Sequence, residues 1–226
     1  MIRENSGAHC RPDAGTAGKK IAVFGGTFNP VHNGHLHLAR SFAAAVGADR
    51  ILLVPAFRPP HKRAPDLARA EDRLAMCRLA ARDGPFEIST LELERGGLSY
   101  TADTLRELKR LEPGAELYLI MGEDMFLTIE NWREPETIFS LATLCAAPRS
   151  GAGMSRLREH EAYLRSLGAR TLVCGIPYLP VSSTQVRAAV RAGESIAELV
   201  PPAVADYIFQ HHLYTECGKP DEFGRL

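Results

Sequence analysis

Two histidines follow a pair of glycines at the point where an apolar run of the chain stops. The segment 25–35, Gly-Gly-Thr-Phe-Asn-Pro-Val-His-Asn-Gly-His, comes directly after the apolar run 21–24. Its Asn-Pro and Asn-Gly pairs form turns, so a helix should begin near Gly34 or His35. The paired glycines let backbone approach a ligand, and a helix N-terminus would direct N–H groups and a positive dipole end at the loop. The segment therefore predicts a strand that ends at a binding site for a nucleotide phosphate.

Other binding motifs fit this segment poorly. It contains neither Gly-x-Gly-x-x-Gly nor the Walker pattern Gly-x-x-x-x-Gly-Lys-Ser/Thr, which disfavours a dehydrogenase and a P-loop protein. A zinc site made of His32, His35 and His37 is also disfavoured, because no Cys or carboxylate stands at ligand spacing nearby and His-Glu-x-x-His is absent. An ordinary strand-to-helix turn with surface histidines is the plain alternative.

A second candidate phosphate site is the segment 180–187, Pro-Val-Ser-Ser-Thr-Gln-Val-Arg. Ser182 or Ser183 predicts the N-cap of a helix that Gly193 ends. Arg187 lies about one turn along this helix, so its guanidinium would reach the end where hydroxyls and unpaired N–H groups gather. The pattern suits a triphosphate, and a plain capped surface helix explains Ser and Gly equally well.

A third candidate is the loop 55–65, Pro-Ala-Phe-Arg-Pro-Pro-His-Lys-Arg-Ala-Pro. Its prolines stiffen the backbone, and His61, Lys62 and Arg63 concentrate positive charge just past a predicted strand. Such a loop could bind a phosphate. The alternative is a basic loop that only faces solvent.

The elements that must position these segments alternate between strands and helices. Helical spacing of apolar residues, as at Leu36, Ala39 and Ala43, separates the β-like runs. This βαβ alternation predicts the α/β class: a single doubly wound Rossmann-like domain with a mostly parallel sheet flanked by helices, and with ligands at the carboxyl ends of strands. The predicted strands are 20–24, 50–55, 86–90, 116–121, 141–146 and 170–173.

Composition limits the class of partner. The 226 residues are 45% hydrophobic, and 27 Lys and Arg balance 27 Asp and Glu, which disfavours nucleic acid as the main partner. Five scattered cysteines without Cys-x-x-Cys are typical of a reducing cytoplasm. No apolar run approaches the roughly 18 residues of a membrane span, and the N-terminus lacks a signal-peptide core. We expect a flexible tail at 1–18, one domain at 19–216 and a short tail at 217–226.

Two of these segments resemble the signatures of a known superfamily. His32, Gly34 and His35 match the HxGH signature of the nucleotidyltransferases, and residues 182–187 match their Ser-Ser-Thr-x-x-Arg signature. Further segments, in the same order as in that family, resemble bacterial-type nicotinate-nucleotide adenylyltransferases from about residue 20 to 214. They are Pro-Pro-His-Lys at 59–62, Ser-Tyr-Thr-Ala-Asp-Thr-Leu at 99–105, Met-Gly-Glu-Asp at 121–124, Trp132, Ala-Pro-Arg at 147–149 and the entry to the C-terminal helix at 200–208.

The resemblance implies a reaction and a set of residues. ATP and nicotinate mononucleotide would be joined with release of pyrophosphate, Mg²⁺ entering with ATP and no metal ligands supplied by the protein. His32, His35 and Arg187 would be catalytic. ATP would be bound by Gly25, Gly26, Thr27, Phe28, Gly34, Gly122, Asp124, Ser183 and Thr184. Nicotinate mononucleotide would be bound by His61, Lys62, Tyr100, Thr101, Thr104, Trp132 and Arg149.

The chain departs from the family pattern at two positions. Asn29 stands where Asp is common, and Ser150 stands where Pro is usual. Neither change removes a phosphate-binding group, so we expect activity to survive. Alternative functions are a pantetheine-phosphate adenylyltransferase, a nicotinamide-nucleotide adenylyltransferase and a nucleotide-binding regulator without activity. Assembly into a homo-oligomer stays open.

Overall fold

One sheet of six parallel strands runs through the computed structural model, which describes residues 18–60, 66–149 and 153–215. The strands are β1 (Lys20–Gly26), β2 (Arg50–Pro55), β3 (Phe86–Ile88), β4 (Glu116–Met121), β5 (Ala142–Ala146) and β6 (Arg170–Val173). They lie in the order β3-β2-β1-β4-β5-β6, and each neighbouring pair is parallel. The direction of winding therefore reverses at β1, between β2 and β4. In such sheets this switch point is where ligands bind.

The six predicted strands are all present, and three have the predicted bounds. β1 continues two residues further than predicted, to Gly26, so the glycine pair ends the strand. β3 stops at Ile88, and β5 begins one residue later than predicted, at Ala142. The predicted α/β class is confirmed, and the sheet is parallel throughout.

Helices connect the strands and cover the sheet. They are α1 (Asn33–Val46), α2 (Ala70–Ala81), α3 (Leu91–Arg95), α4 (Thr101–Leu111), α5 (Glu123–Phe126), α6 (Pro135–Leu141), α7 (Gly153–Ser166), α8 (Ser183–Ala192) and α9 (Pro202–Gln210), with a 3₁₀ turn at Ile129–Asn131. Gly47 ends α1 and Gly193 ends α8, both with a positive φ that suits glycine. The predicted start of α1 and the predicted cap and stop of α8 are confirmed.

Alternating side chains of the strands enter two separate apolar layers. Ala22 and Phe24 of β1 pack with α1, α2, α8 and α9, whereas Ile21 and Val23 pack with α4, α6 and α7. Each fully buried Phe or Leu side chain contributes about 2 kcal/mol by leaving water. A sheet covered on both faces holds the carboxyl ends of its strands rigidly.

Some predictions concern residues that the structure does not describe, so they stay predictions. Apart from Gly18, the predicted tails 1–18 and 217–226 lie outside the described residues, and so does the predicted phosphate-binding pair His61 and Lys62. Within the described ranges, no helix is long and apolar enough to cross a bilayer.

Candidate active site

The loop after β1 lies at the switch point of the sheet. A Cβ atom at Gly25 would meet open space, whereas one at Gly26 would lie 3.0 Å from the Phe28 ring. Phe28 has a φ of 48°, which is rare for a residue with a side chain and recurs at functional sites. Its ring is buried and packs edge-on against Phe24 and His35. Phe28 therefore shapes the loop from inside the core.

His32 and His35 hold one another by reciprocal hydrogen bonds. The His35 N–H donates to Nδ1 of His32 at 3.4 Å, and the His32 N–H donates to Nδ1 of His35 at 3.3 Å, so His32 caps α1. The two rings stack with centroids 3.6 Å apart. Because each Nδ1 accepts a hydrogen bond, each neutral imidazole carries its proton on Nε2.

Burial determines the charge of His32. The residue is 6% exposed, and desolvation lowers its pKa from 6.5 to about 4. His32 is therefore neutral at physiological pH. A Cβ at Gly34 would lie 3.1 Å from Nδ1 of His32 and 3.2 Å from the carbonyl oxygen of Val181, so glycine leaves the room that the buried ring needs.

The start of α8 is attached to the turn that precedes the histidines. Ser182 caps α8 by accepting from the Gln185 N–H at 3.1 Å. The hydroxyl of Ser183 donates to the Pro30 carbonyl at 2.9 Å, and Nη1 of Arg187 donates to the Asn29 carbonyl at 2.8 Å. The two sequence signatures, about 150 residues apart, thus form one connected structure.

Arg187 is enclosed but incompletely paired. Its side chain is 15% exposed, its Nη2 lies 3.5 Å from the Thr184 hydroxyl and its Nε lies 3.9 Å from Asp66. Nε is buried and finds no hydrogen-bond acceptor among the described residues. A buried donor without a partner costs about 1–3 kcal/mol, so an anion that supplied an acceptor would be favoured.

Asn29 uses its whole amide group within the protein. Its Nδ2 donates to the Asp66 carbonyl at 2.9 Å, and its Oδ1 accepts from the Ala68 N–H at 3.0 Å and from the Tyr214 hydroxyl at 2.9 Å. An Asp could accept these bonds but could not donate to the carbonyl. The sequence indicates only that Asn29 favours a turn. The structure shows in addition that its side-chain amide stabilises the turn by hydrogen bonds to neighbouring segments.

Several residues predicted to bind nicotinate mononucleotide lie at or near the start of α4. Tyr100 precedes the helix, and the Arg133 guanidinium lies over its ring at 4.4 Å. Thr101 is the first helical residue and is half-buried. Trp132 is half-buried and packs against the apolar layer that contains α4. These residues provide an aromatic surface beside a helix N-terminus.

Thr104 lies inside a polar cluster. It is buried, its hydroxyl donates to Glu92 at 2.6 Å, and it accepts from Arg95 at 3.0 Å. Burial raises the pKa of Glu92, and the bonds from the Thr104 and Ser99 hydroxyls oppose that shift. The Thr104 hydroxyl also lies 3.3 Å from the Tyr100 carbonyl. Because its proton is donated to Glu92, this hydroxyl is not available as a donor to a ligand in this structure.

Gly122, Asp124 and Arg149 meet at the carboxyl ends of β4 and β5. Asp124 and Arg149 form an ion pair of 2.6 Å, with side chains 57% and 54% exposed. The neighbouring Glu123 is buried and accepts from the Arg149 N–H at 2.7 Å and from Arg156 at 2.6 Å. The hydrogen bond from Arg149, supported by Arg156, lowers the pKa of Glu123. Glu123 thus fixes the backbone at Arg149, while the Arg149 side chain lies on the surface against Asp124.

Several residues of this region are missed by sequence reasoning. Arg73, Asp66 and Tyr214 contact the loop after β1. A charged side chain such as that of Arg73 or Asp66 by itself predicts solvent exposure, and a residue near the C-terminus such as Tyr214 predicts no contact with this loop. A signal exists for Arg73 alone, since it shares the helical spacing of the buried Ala70 and Cys77. Within the described part of the chain, no group of three or more His, Cys, Asp and Glu side chains could hold a metal ion.

Comparisons with known proteins identify the family and the fold of the chain. The model of the cytidylyltransferase-like family matches residues 23–189. Proteins named "Probable nicotinate-nucleotide adenylyltransferase" from Geobacter metallireducens and Neisseria meningitidis serogroup B are each 39% identical to this chain, and each alignment covers 87% of this chain and 98% of the relative. A solved Plasmodium falciparum nicotinic acid mononucleotide adenylyltransferase in complex with NaAD superposes with a TM-score of 0.71 at 20% identity, covering 87% of this chain and 97% of that chain. At that identity the superposition supports the fold.

Proposed function

Because the chain belongs to the cytidylyltransferase-like family and, within it, to the nicotinate-nucleotide adenylyltransferases, we propose that it joins ATP and nicotinate mononucleotide to form nicotinate adenine dinucleotide (NaAD) and pyrophosphate. The protein is a nucleotidyltransferase of NAD biosynthesis. The observation that carries this proposal is the junction of the HxGH segment with the start of α8 at the switch point of the sheet.

The reaction needs no covalent intermediate on the enzyme. An oxygen of the mononucleotide phosphate attacks the α-phosphorus of ATP, the bond from the α-phosphorus to the bridging oxygen breaks, and pyrophosphate leaves with the electron pair. The attacking phosphate is already ionised at neutral pH. The enzyme therefore acts by positioning the reactants and by stabilising charge on the α-phosphate and the leaving group.

The histidine pair supplies donors for this charge. His32 is neutral and has its proton on Nε2, and the same hydrogen-bond pattern favours Nε2–H on a neutral His35. We assign both imidazoles to the phosphates as hydrogen-bond donors. The backbone of Gly25, Gly26 and Thr27 would hold the α-phosphate, with Phe28 and Gly34 as positioning residues.

The start of α8 suits the β- and γ-phosphates. Nε of Arg187 has no hydrogen-bond acceptor among the described residues, and Thr184 is exposed on the first turn of α8. A helix N-terminus favours anions. The Ser183 hydroxyl hydrogen is donated to Pro30, so we assign Ser183 to the triphosphate through its N–H and to the turn through its side chain. Mg²⁺ would enter with ATP and neutralise phosphate oxygens, since this ion prefers phosphates and water to a cage of protein ligands.

Nicotinate mononucleotide, the acceptor, would lie beside the start of α4. Trp132 and Tyr100 offer faces for the pyridine ring, and the start of α4 at Thr101 offers N–H groups to a carboxylate. Arg149, with His61 and Lys62 as predictions from sequence, would bind the mononucleotide phosphate. Gly122 and Asp124 would bind the adenosine part of ATP, which requires Asp124 to exchange Arg149 for a ribose hydroxyl.

The proposal is tested by measuring pyrophosphate release from ATP and Mg²⁺ with three acceptors, with the product mass confirmed in each case. The acceptors are nicotinate mononucleotide, nicotinamide mononucleotide and phosphopantetheine. We expect turnover with the nicotinate acceptor and a kcat/KM at least about tenfold above that of the amide, because a carboxylate gains the charge-assisted hydrogen bonds of α4.

The other outcomes separate the alternatives. Equal kcat/KM values for the acid and the amide would refute acid specificity. A preference for phosphopantetheine would refute the proposed binding site for the acceptor but not the proposed binding of the ATP phosphates. Tight ATP binding without pyrophosphate release would indicate a nucleotide-binding regulator. The cytoplasmic location and a homo-oligomer stay predictions.

A further inference from the structure

Arg73 of α2 is a large cation that the fold encloses completely. It is 1% exposed. Its Nη1 donates to the carbonyls of Thr27 at 2.7 Å and Ala56 at 2.5 Å, its Nη2 donates to Phe57 at 2.8 Å, and its Nε donates to Ala68 at 3.1 Å. One planar guanidinium thus joins three separate stretches of backbone.

Arg73 forms no ion pair within the described ranges, and the carboxylates of Glu71 and Glu92 act on its charge only from a distance. In the described ranges no carboxylate lies within 4.0 Å of its nitrogens, and burial lowers its pKa from the usual value. A buried cation costs free energy unless hydrogen bonds compensate it, and an apolar side chain of similar length would fill the same space without that cost. What only arginine provides here is a rigid fork of donors together with a charge.

The carbonyls that Arg73 binds belong to the two loops proposed to carry the reacting phosphates. Thr27 lies in the loop after β1, proposed for the α-phosphate of ATP. Ala56 and Phe57 begin the loop after β2, which leads to His61 and Lys62, predicted for the acceptor phosphate. β1 and β2 are neighbours, and the Ala56 N–H also donates to the Gly26 carbonyl at 2.9 Å.

We propose that Arg73 is a positioning residue that holds the loop after β1, proposed for the α-phosphate, against Ala56 and Phe57 at the start of the loop after β2, and that its buried charge favours anions at the first loop. In-line attack requires the attacking oxygen about 3–3.5 Å from the phosphorus, and a displacement of 1 Å can cost about 100-fold in rate. Loops that are held by one rigid group keep that distance. This inference rests on the proposed function.

The test compares Arg73→Lys and Arg73→Met with Arg78→Met, a control at an exposed position of the same helix. For each variant the melting temperature, kcat and the KM values of both substrates are measured, using the wild-type protein in parallel. We expect kcat of the folded Lys variant to fall at least about tenfold, because lysine keeps the charge but cannot bridge the loops. The Met variant should fall further and also raise KM for ATP. The control should match the wild type.

Chemical rescue separates positioning from stability. Methylguanidinium added to Arg73→Ala should restore part of kcat, which a purely structural loss would not show. A kcat within about twofold of wild type in folded Arg73→Lys and Arg73→Met would overturn the proposal. Failure of all Arg73 variants to fold, even when produced at low temperature, would assign Arg73 to the fold and also overturn it. An inactive wild type would refute the proposed function instead, so the two failures are distinguishable.

Discussion

The two halves of the candidate site are held by different forces. The phosphate-loop half, residues 25–35 with residues 182–187, is joined by hydrogen bonds among buried and partly buried groups, including the His32–His35 pair and the Arg187–Asn29 bond. The ion-pair half, residues 122, 124, 132–134 and 149 with the start of α4, presents charged side chains that pair with one another at the surface.

The difference indicates which parts are formed before substrate binds. Buried hydrogen bonds between backbone and imidazole keep one geometry, because leaving them unmade is costly. Exposed ion pairs contribute about 0–1 kcal/mol and are screened by salt, so a substrate can replace them. We infer that the chemistry is preorganised in the phosphate-loop half, and that the ion-pair half adapts to its ligand.

The largest effect is expected from His35→Ala. We predict that kcat falls by about 100-fold or more while the affinity for ATP changes little, because a donor to developing charge acts mainly on the transition state. Steady-state kinetics and ATP titration measure the two quantities. His37→Ala, on the same helix, is the matched control and should retain kcat. An unchanged kcat in the His35 variant would remove His35 from the mechanism.

Stability should depend on pH through His32. Its pKa is about 6.5 when unfolded and about 4 when folded, so between these values the unfolded state binds a proton that the folded state excludes. The free energy of unfolding should therefore fall as pH drops from 6.5 to 4, by at most about 3 kcal/mol. Denaturant titrations at several pH values measure this loss. His32→Asn keeps an N-cap and should flatten the profile over that range, and an equally steep profile would contradict this explanation.

Two adjacent carboxylates sharpen the contrast between buried and exposed contacts. Glu123→Gln should cost about 2 kcal/mol of stability, because Glu123 is buried between the Arg149 N–H and Arg156. Asp124→Asn should cost at most about 0.5 kcal/mol, because its pair with Arg149 is more than half exposed. Chemical denaturation of both variants measures the difference. Equal losses would show that the exposed pair of Asp124 with Arg149 is held as firmly as the buried Glu123.

The smallest effect is expected at the aromatic face. Trp132→Ala should raise KM for nicotinate mononucleotide about fivefold with little change in KM for ATP, since ring stacking contributes about 1 kcal/mol. Trp132→Phe should recover part of the loss. The quenching of tryptophan fluorescence by the mononucleotide provides an independent titration of the wild type. A KM unaffected by Trp132→Ala would assign the residue to the core.

Local patterns predict the parts of the molecule that depend on neighbouring residues. Strand β2 is visible as an apolar run, and the ends of α8 are visible as Ser182 and Gly193, because caps and stops act within a few residues. The Asn-Pro and Asn-Gly pairs likewise predict a helix start near Gly34 or His35, and α1 begins at Asn33.

Contacts between distant segments escape such patterns. Arg73 shares the helical spacing of buried residues, but its charge predicts a solvent-facing position, and its hydrogen bonds form only because the loops after β1 and β2 converge on it. Thr104 meets Glu92 only when α3 packs on α4, and Asp124 meets Arg149 only when β4 lies beside β5. The contacts of Thr104 and Asp124 depend on tertiary packing, which no local period encodes.

The central claim is that the preorganised histidine pair stabilises a direct transfer and forms no bond to phosphorus. The stereochemical course at the α-phosphorus tests it most directly, using ATP with a chiral α-thiophosphate and nicotinate mononucleotide as the acceptor. One in-line displacement inverts the configuration, so we predict a NaAD product of inverted configuration at the thiophosphate. Retention would require two displacements through a nucleotidyl-enzyme intermediate and would contradict the account.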